Sequence, residues 1–370
     1  MWISRCDMLN IWHHSDPNQG RRVSKARNSF DSQTRRILVI TLGASMGTSA
    51  NLFAELGRVI AQRHDCRSIS ISLTGGTLIT RAAAILWSNL RHLRDVLWAQ
   101  VVIGHVPAAL SLPLLILARL FSKKLVIFQW DVYPVTIAGQ AYVTGGVRRT
   151  LQQLERLCLR LADVIVLPSE DFLAAAAARN PVIFPLWPQS DLRLEPVRAV
   201  PAPDGVFHIA FAGQINELRG LRECATHLRQ AVQGRFVLHL FSSDPFPDLP
   251  QDADPVDIQH HGQVSRAELQ ARLSQMHFGL VSLHPRLDQP GFPSKTYDYL
   301  AAGLPVLYFG RPLPGFLRGL QECGVGVDIT RSDRIDLCAL YADMIARLPE
   351  GRRDYLDRNG LTIDRLTPLL

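Results

Sequence analysis

Residues 291–310, GFPSKTYDYLAAGLPVLYFG, put a serine and a lysine at the start of a short helical run and an aspartate one turn further on. Ser294 is placed to cap such a helix, Gly303 to end it and Pro305 to stop its continuation. The unpaired N–H groups of the first turn, the positive end of the helix dipole and the Lys295 ammonium together suit a phosphate or pyrophosphate. Asp298 can accept hydrogen bonds from two adjacent hydroxyls, as a ribose offers. A capped surface helix with a solvated Lys and Asp has the same pattern, so the segment alone leaves both readings open.

Other stretches offer related chemistry. In FAGQINELRGLRE (211–223) a strand ends at Gly213, a polar loop through Gln214 follows, and Arg219-Gly220 opens a helix. Glycine admits a ligand to the backbone, and an arginine at the loop's exit can pair with phosphate. In HHGQVSRAELQARL (260–273), Ser265 and Glu268 form a capping box. TLGASMGTSANLF (41–53) sets Gly43 and Gly47 between a strand and a helix but matches neither G-x-G-x-x-G nor a P-loop, which counts against a dinucleotide oxidoreductase or an ATPase. His105 and Asp131 each close an apolar strand and would face a cleft at its carboxyl end. A lone strand-end histidine is more often structural. The D-x-D of residues 252–254 lies in a Pro- and Asp-rich turn and reads as solvated.

The elements that must position these residues alternate. RILVITL (36–42), SISISL (68–73), AQVVIGH (99–105), KLVIFQW (124–130) and DVIVLPS (163–169) are strand-like, with amphipathic helices such as 49–64 between them. After a Pro-rich passage the alternation resumes in VFHIAFAG (206–213), RFVLHLFS (235–242), DIQHHGQ (257–263), FGLVSLH (278–284), PVLYFG (305–310) and VGVDI (325–329). The expected fold is α/β, with two Rossmann-like domains facing a cleft, where ligands sit beyond the strand carboxyl ends. The expected boundaries are a disordered basic arm at 1–35, a first domain at 36–186, a linker at 187–204, a second domain at 205–350 and a helical tail at 351–370.

Six scattered cysteines without paired spacing argue against a disulfide framework or a zinc site and suggest a reducing compartment. Of the net charge of +7, residues 1–36 hold +4, and the remainder is no nucleic-acid footprint. No apolar run has the length of a bilayer span, and the N-terminal segment lacks the apolar core of a signal peptide. The apolar run 106–121 is read as a buried or membrane-facing helix.

Taken together, FAGQINELRGLRE, HHGQVSRAELQARLSQMHFGLVSLHP and PSKTYDYLAAGLPVL resemble, in order and spacing, the donor-binding domain of GT-B glycosyltransferases, and most nearly the family-4 group that builds bacterial surface polysaccharides. QWDVYP is similar to that group's Asp-x-Trp-Pro stretch. The resemblance implies transfer of a sugar from a nucleoside-diphosphate sugar, UDP-linked, to a lipid-linked or glycan acceptor, with retention and without a metal or other cofactor. It implies donor-binding roles for Gly47, Gly213, Gln214, Arg219, Ser294, Lys295, Thr296 and Asp298, with His105 and Asp131 on the catalytic side. A cytoplasmic place with peripheral contact to the inner membrane follows from the lipid-linked acceptors. Pro290 stands where the group's first motif glutamate would be, and Asp288 is a candidate substitute. Two alternatives follow from that departure and from the fold: a degenerate binding partner in polysaccharide assembly, and a nucleotide-sugar epimerase.

Overall fold

The computed structural model describes residues 34–42, 48–71, 77–132, 136–137, 140–141, 146–176, 180–189, 192–246 and 257–370. Two six-stranded sheets, parallel throughout, organise them. The first has the order β2-β1-β3-β4-β5-β6 and is built from β1 (Arg36–Leu42), β2 (Asp65–Ile71), β3 (Val101–His105), β4 (Lys124–Phe128), β5 (Val164–Leu167) and β6 (Pro181–Ile183). The second has the order β9-β8-β7-β10-β11-β12, from β7 (Val206–Ala212), β8 (Arg235–Phe241), β9 (Asp257–His260), β10 (Phe278–Ser282), β11 (Val306–Phe309) and β12 (Gly326–Asp328).

The eleven strand-like runs of the sequence all contain strands; the inner ones are near-continuous apolar runs because both their faces are buried, whereas the edge strands β2 and β9 are largely exposed. Of the twelve strands in these two sheets, β6 alone has no counterpart among those runs: it is a three-residue edge strand, opens on proline and is exposed at every position.

Helices cover both faces of each sheet. Leu52, Phe53, Leu56 and Ile60 of α1 (Thr48–Ile60) are buried in one core. The opposite face of the first sheet is covered by α2 (Leu78–Arg91), α3 (Leu93–Trp98), α4 (Leu112–Leu120) and α5 (Gly146–Leu161), whose inner side chains include Val96, Leu114, Leu115 and Cys158. Helices α6 (Leu221–Ala231), α7 (Arg266–Leu273), α8 (Lys295–Ala301) and α9 (Pro314–Glu322) belong to the second sheet. The long α10 (Leu337–Arg358) and short α11 (Ile363–Leu366) then bring the chain back to the first sheet, where Arg63 pairs with Asp364 at 2.5 Å.

The Pro-rich passage between the sheets is packed rather than free. Trp187 is buried in edge-to-face contact with Phe128, Trp130 and Phe184, and the Glu195 N–H donates to the Ala301 carbonyl at 2.8 Å. A first-domain carboxylate, Asp171, accepts the N–H groups of Gly315 (2.8 Å) and Phe316 (2.9 Å) at the start of α9. These ties fasten the two halves directly.

One feature of the second sheet is a row of imidazoles running across three strands. His208 Nδ1 lies 2.8 Å from His239 Nε2, and His239 Nδ1 lies 2.9 Å from His261 Nε2. Arg272 donates to His261 Nδ1 at 3.0 Å, so the hydrogen bonds run in one direction, from His261 Nε2 to His239 Nδ1 and from His239 Nε2 to His208 Nδ1. Burial, and then the neighbouring imidazoles, hold His239 down at about 4. His277, whose Nδ1 accepts the His208 N–H, is lowered to about 4 chiefly by burial, and buried His105 likewise.

The unfolded chain therefore takes up protons below its usual histidine pKa that the folded chain refuses until about pH 4. Stability is complete above pH 6.5 and is lost as the pH falls from there, by up to about 1.4 kcal/mol per pH unit for each such ring. Urea midpoints at pH 7.5 and pH 5.5 should differ accordingly, the acidic one being lower. Coincident midpoints would show that His105, His239 and His277 carry no such shift.

Candidate functional site

The carboxyl edge of the second sheet faces the first across a cleft, and the loops there are fixed by backbone geometry before any side chain is considered. β7 ends at Ala212, and the next residue, Gly213, donates its N–H to the Phe241 carbonyl at 3.1 Å. The following turn closes at Gly220, in the left-handed region at φ 55°. A Cβ on Gly220 would stand 2.6 Å from the His284 Cα, so only glycine lets this turn approach β10. The Ser282 hydroxyl donates to the Arg219 carbonyl at 2.6 Å, and the His284 N–H donates to the Leu218 carbonyl at 2.9 Å. The backbone of Arg219 is thereby clamped while its guanidinium turns into a cavity.

That cavity, of about 350 Å³, is lined by Gly213, Gln214, Arg219, Ser294, Lys295 and the buried Tyr299, among others. Five residues singled out in the sequence thus meet in one space. Burial lowers the Arg219 pKa, and the carboxyl of Asp131 and the phenol of Tyr299 oppose that shift. Asp131 is exposed on the cleft, with the bridge partner Gly291 beside it and the surrounding protein crowding its carboxyl. That desolvation pushes its pKa up, and the charge of Arg219 pulls it back down. An isolated antiparallel bridge joins Asp131 to Gly291, directly linking the end of β4 to the segment before α8.

Helix α8 differs from expectation in detail. Ser294 makes no side-chain cap, so its hydroxyl faces the cavity uncommitted to the helix end. Lys295 Nζ lies 3.0 Å from Asp298 Oδ2, and Arg266 approaches Asp298 Oδ1 at 3.7 Å. The carboxylate expected to receive hydroxyls thus sits between two cations and is not among the residues that line the cavity. Thr296 does not line the cavity: it is fully buried, and its Oγ1 has no hydrogen-bond partner. Being one residue past Lys295, it is turned about 100° round the helix, into the domain interior.

His105 has no ring nitrogen free to polarise a sugar in this arrangement. Its Nδ1 lies 2.8 Å from the Val106 carbonyl and its Nε2 accepts the Leu42 N–H at 3.2 Å, while Phe53 covers the ring at a centroid distance of 4.5 Å. It reads as a structural, neutral histidine, the commoner role for its type at a strand end. Gly47 and the D-x-D of 252–254 lie outside the described residues. Pro290 and Asp288 line a second cavity, also about 350 Å³, with Gln129, Glu155, Asp171 and Arg311, so Asp288 does not face the cation-lined space.

Sequence reading missed Tyr299. Its hydroxyl accepts the Ala212 N–H at 2.8 Å and donates to the Leu280 carbonyl at 3.0 Å, tying α8 to the ends of two strands. The available signal was Gly279, since a Cβ there would fall 2.2 Å from Tyr299 Cγ. A bare strand position facing an aromatic helix residue marks close approach.

With this geometry in hand, the two-sheet arrangement is that of the GT-B fold. No family model matches the sequence, and no curated protein matches it. Among solved structures, the apo lipopolysaccharide outer core galactosyltransferase WaaB aligns with a TM-score of 0.51 and 12% identity over 90% of this chain and 93% of its own. The glycotransferase of kitacinnamycin aligns at 0.47 and 12% identity, covering 91% and 98%. SnogD from Streptomyces nogalater, a glycosyltransferase, aligns at 0.46 and 16%, covering 91% and 100%. No described helix is long and apolar enough to cross a membrane.

Replacing Tyr299 by Phe leaves the Ala212 N–H without its partner in a dry interior. Such a loss costs about 1–3 kcal/mol, so the denaturant midpoint of Tyr299→Phe should fall with an unchanged m-value. A midpoint equal to that of the parent would mean that the phenol does not hold α8 in place.

Proposed function

We propose that this chain is a glycosyltransferase that moves a sugar from a nucleoside-diphosphate sugar, UDP-linked, to a lipid-linked or glycan acceptor in surface polysaccharide assembly. The observation that carries the reading is the half-buried guanidinium of Arg219 and the ammonium of Lys295 lining one cavity at the strand ends. Two cations in a partly dry site suit a diphosphate, whose negative charge grows as the bond to the sugar breaks. Gly213, Gln214 and Ser294 add polar wall to the same space. Asp298 would exchange its cationic neighbours for ribose hydroxyls on donor binding. The galactosyltransferase activity in the name of the WaaB structure is in keeping with this assignment.

In this reading catalysis is positioning plus stabilisation of the leaving diphosphate by protein cations, with no metal required. The resemblance to the family-4 group carries retention, the departing oxygen taking the acceptor's proton. The position of Asp131 favours a second reading on stereochemistry. A carboxyl with a raised pKa facing Arg219 can accept the acceptor hydroxyl's proton, and direct displacement assisted by such a base inverts the anomeric centre. The anomer formed, read by NMR on the product, separates the two.

Two outcomes test the donor site. UDP at a hundred times its dissociation constant adds about 2.7 kcal/mol to the folded state, so it should raise the unfolding midpoint of the parent more than GDP or ADP does, and Asp298→Ala should lose most of that shift. No shift with any nucleotide would remove the donor reading and favour a chain that binds a protein partner without turnover. Where turnover is found, Arg219→Ala should lower kcat by roughly 10²–10³-fold, more than it raises KM, as for other preorganised charge donors. An unchanged kcat with a raised KM would assign Arg219 to binding alone.

A further inference from the structure

The outer side of the first domain has the wrong polarity for a face that meets only water. Helix α2 turns Ser88 and Asn89 inward, where the Asn89 amide donates to the carbonyls of Ile85 (2.8 Å) and Leu110 (3.0 Å). Outward it presents Ile79 (81% exposed), Leu86, Trp87 (69%) and Leu90, at the 3–4-residue spacing of one helical stripe. The neighbouring helices continue the surface. Leu97 of α3 is exposed, as are Ile116, Leu120 (74%) and Phe121 at the end of α4, and the three helices touch one another. Single exposed leucines are ordinary, but eight large apolar side chains on one three-helix layer form a patch that needs a partner.

Charge indicates which partner. Residues 78–124 contain six basic residues, Arg81, Arg91, Arg94, Arg119, Lys123 and Lys124, and one acidic residue, Asp95. Asp95 is already engaged by Arg67 at 3.1 Å and by His92 at 2.9 Å. Arg119 is balanced by Asp163 at 2.7 Å, whereas Arg91 and Arg94 stand exposed beside Leu90 and Leu97. The segment therefore carries +5, in a chain whose residues beyond 36 sum to only +3. A second copy of the same face would meet like charge with like. An anionic lipid surface offers the complement, with headgroup charge for the arginines and an interfacial layer for Trp87, Leu86 and Leu90.

We propose that the α2–α3–α4 face is a docking surface for an anionic bilayer, seated with Ile79, Leu86, Trp87 and Leu90 in the headgroup–acyl boundary and Arg91 and Arg94 among the headgroups. This assignment does not rest on the transfer reaction, because lipid binding needs neither donor nor acceptor. Nucleotide-induced stabilisation can therefore fail while vesicle binding holds, or the reverse.

Co-sedimentation of the full chain with vesicles tests it, using phosphatidylcholine alone and phosphatidylcholine mixed with phosphatidylglycerol. Binding should be at least about tenfold tighter to the mixed vesicles and should weaken with salt. The pair Arg91→Glu and Arg94→Glu should remove most of that preference. The pair Trp87→Ser and Leu90→Ser should weaken binding by at least about tenfold, with no fall in the thermal midpoint since both positions are exposed. The proposal is overturned if the parent does not sediment with anionic vesicles. It is equally overturned if both double variants bind as the parent does, which would leave the basic N-terminal residues as the lipid contact. A parent that is dimeric until Trp87 and Leu90 are changed would give the face to a second copy instead.

Discussion

The buried hydroxyl of Tyr299 is the contact on which the candidate site depends. Helix α8 is only seven residues long and makes few hydrogen bonds of its own, so its orientation must come from packing. Tyr299 provides it by bonding to the backbone at Ala212 and Leu280, one on each of two adjacent strands, with its ring against the bare Gly279. Ala212 immediately precedes Gly213, and Leu280 is two residues before Ser282, whose hydroxyl holds the Arg219 carbonyl. One phenol thus fixes the distance between the helix that bears Lys295 and the loop that bears Arg219. Burial drives the phenol's own pKa far above its usual value, so it stays protonated and keeps donating to Leu280 throughout the accessible pH range.

The second constraint is the joining of the two halves. Half-buried Arg219 and cleft-exposed Asp131 are both shifted by desolvation where the halves meet, and each tempers the other's shift. The Asp131–Gly291 and Ile137–Leu287 bridges and the Asp171 contacts at the start of α9 hold that closure at three places. Opening the cleft would release all of these and rehydrate both charges. Electrostatics at the site and the relative placement of the domains are therefore one equilibrium, and a ligand that pairs with Arg219 biases it toward closure.

What was legible in the sequence follows from how local the determining interaction is. Strands show because double burial writes itself as unbroken apolar runs, and the Arg219-Gly220 turn shows because glycine and arginine each have few reasons to stand there. The Lys295–Asp298 pair was legible in principle, since residues three apart on a helix are neighbours. Instead the two were assigned to separate ligand groups. The surroundings of His105 are not legible, because its two partners, the Leu42 N–H and the Val106 carbonyl, are backbone groups that leave no trace in residue type. The histidine row needed the register of three strands: His208, His239 and His261 come together only because β8 lies between β7 and β9 in the second sheet.

The segment 288–292 borders both cavities, Asp288, Gln289 and Pro290 lining one and Phe292 the other. Its bridge to Asp131 divides the cleft into two spaces of equal size but different charge. Arg219 and Lys295 line one, while the other has three carboxylates, Glu155, Asp171 and Asp288, against Arg156 and Arg311. Two of those carboxylates, Glu155 and Asp171, are spent on backbone N–H groups. In the second space the buried Gln129 Oε1 and Arg311 Nε are left without partners. The charge balance of the first space suits a diphosphate better than that of the second, whereas neutral hydroxyls can satisfy the unpaired groups of the second. For a nucleotide sugar bound as proposed, charge alone then sets its direction along the cleft. A glutamate at position 290 would place another negative charge in the second space, which the proline avoids.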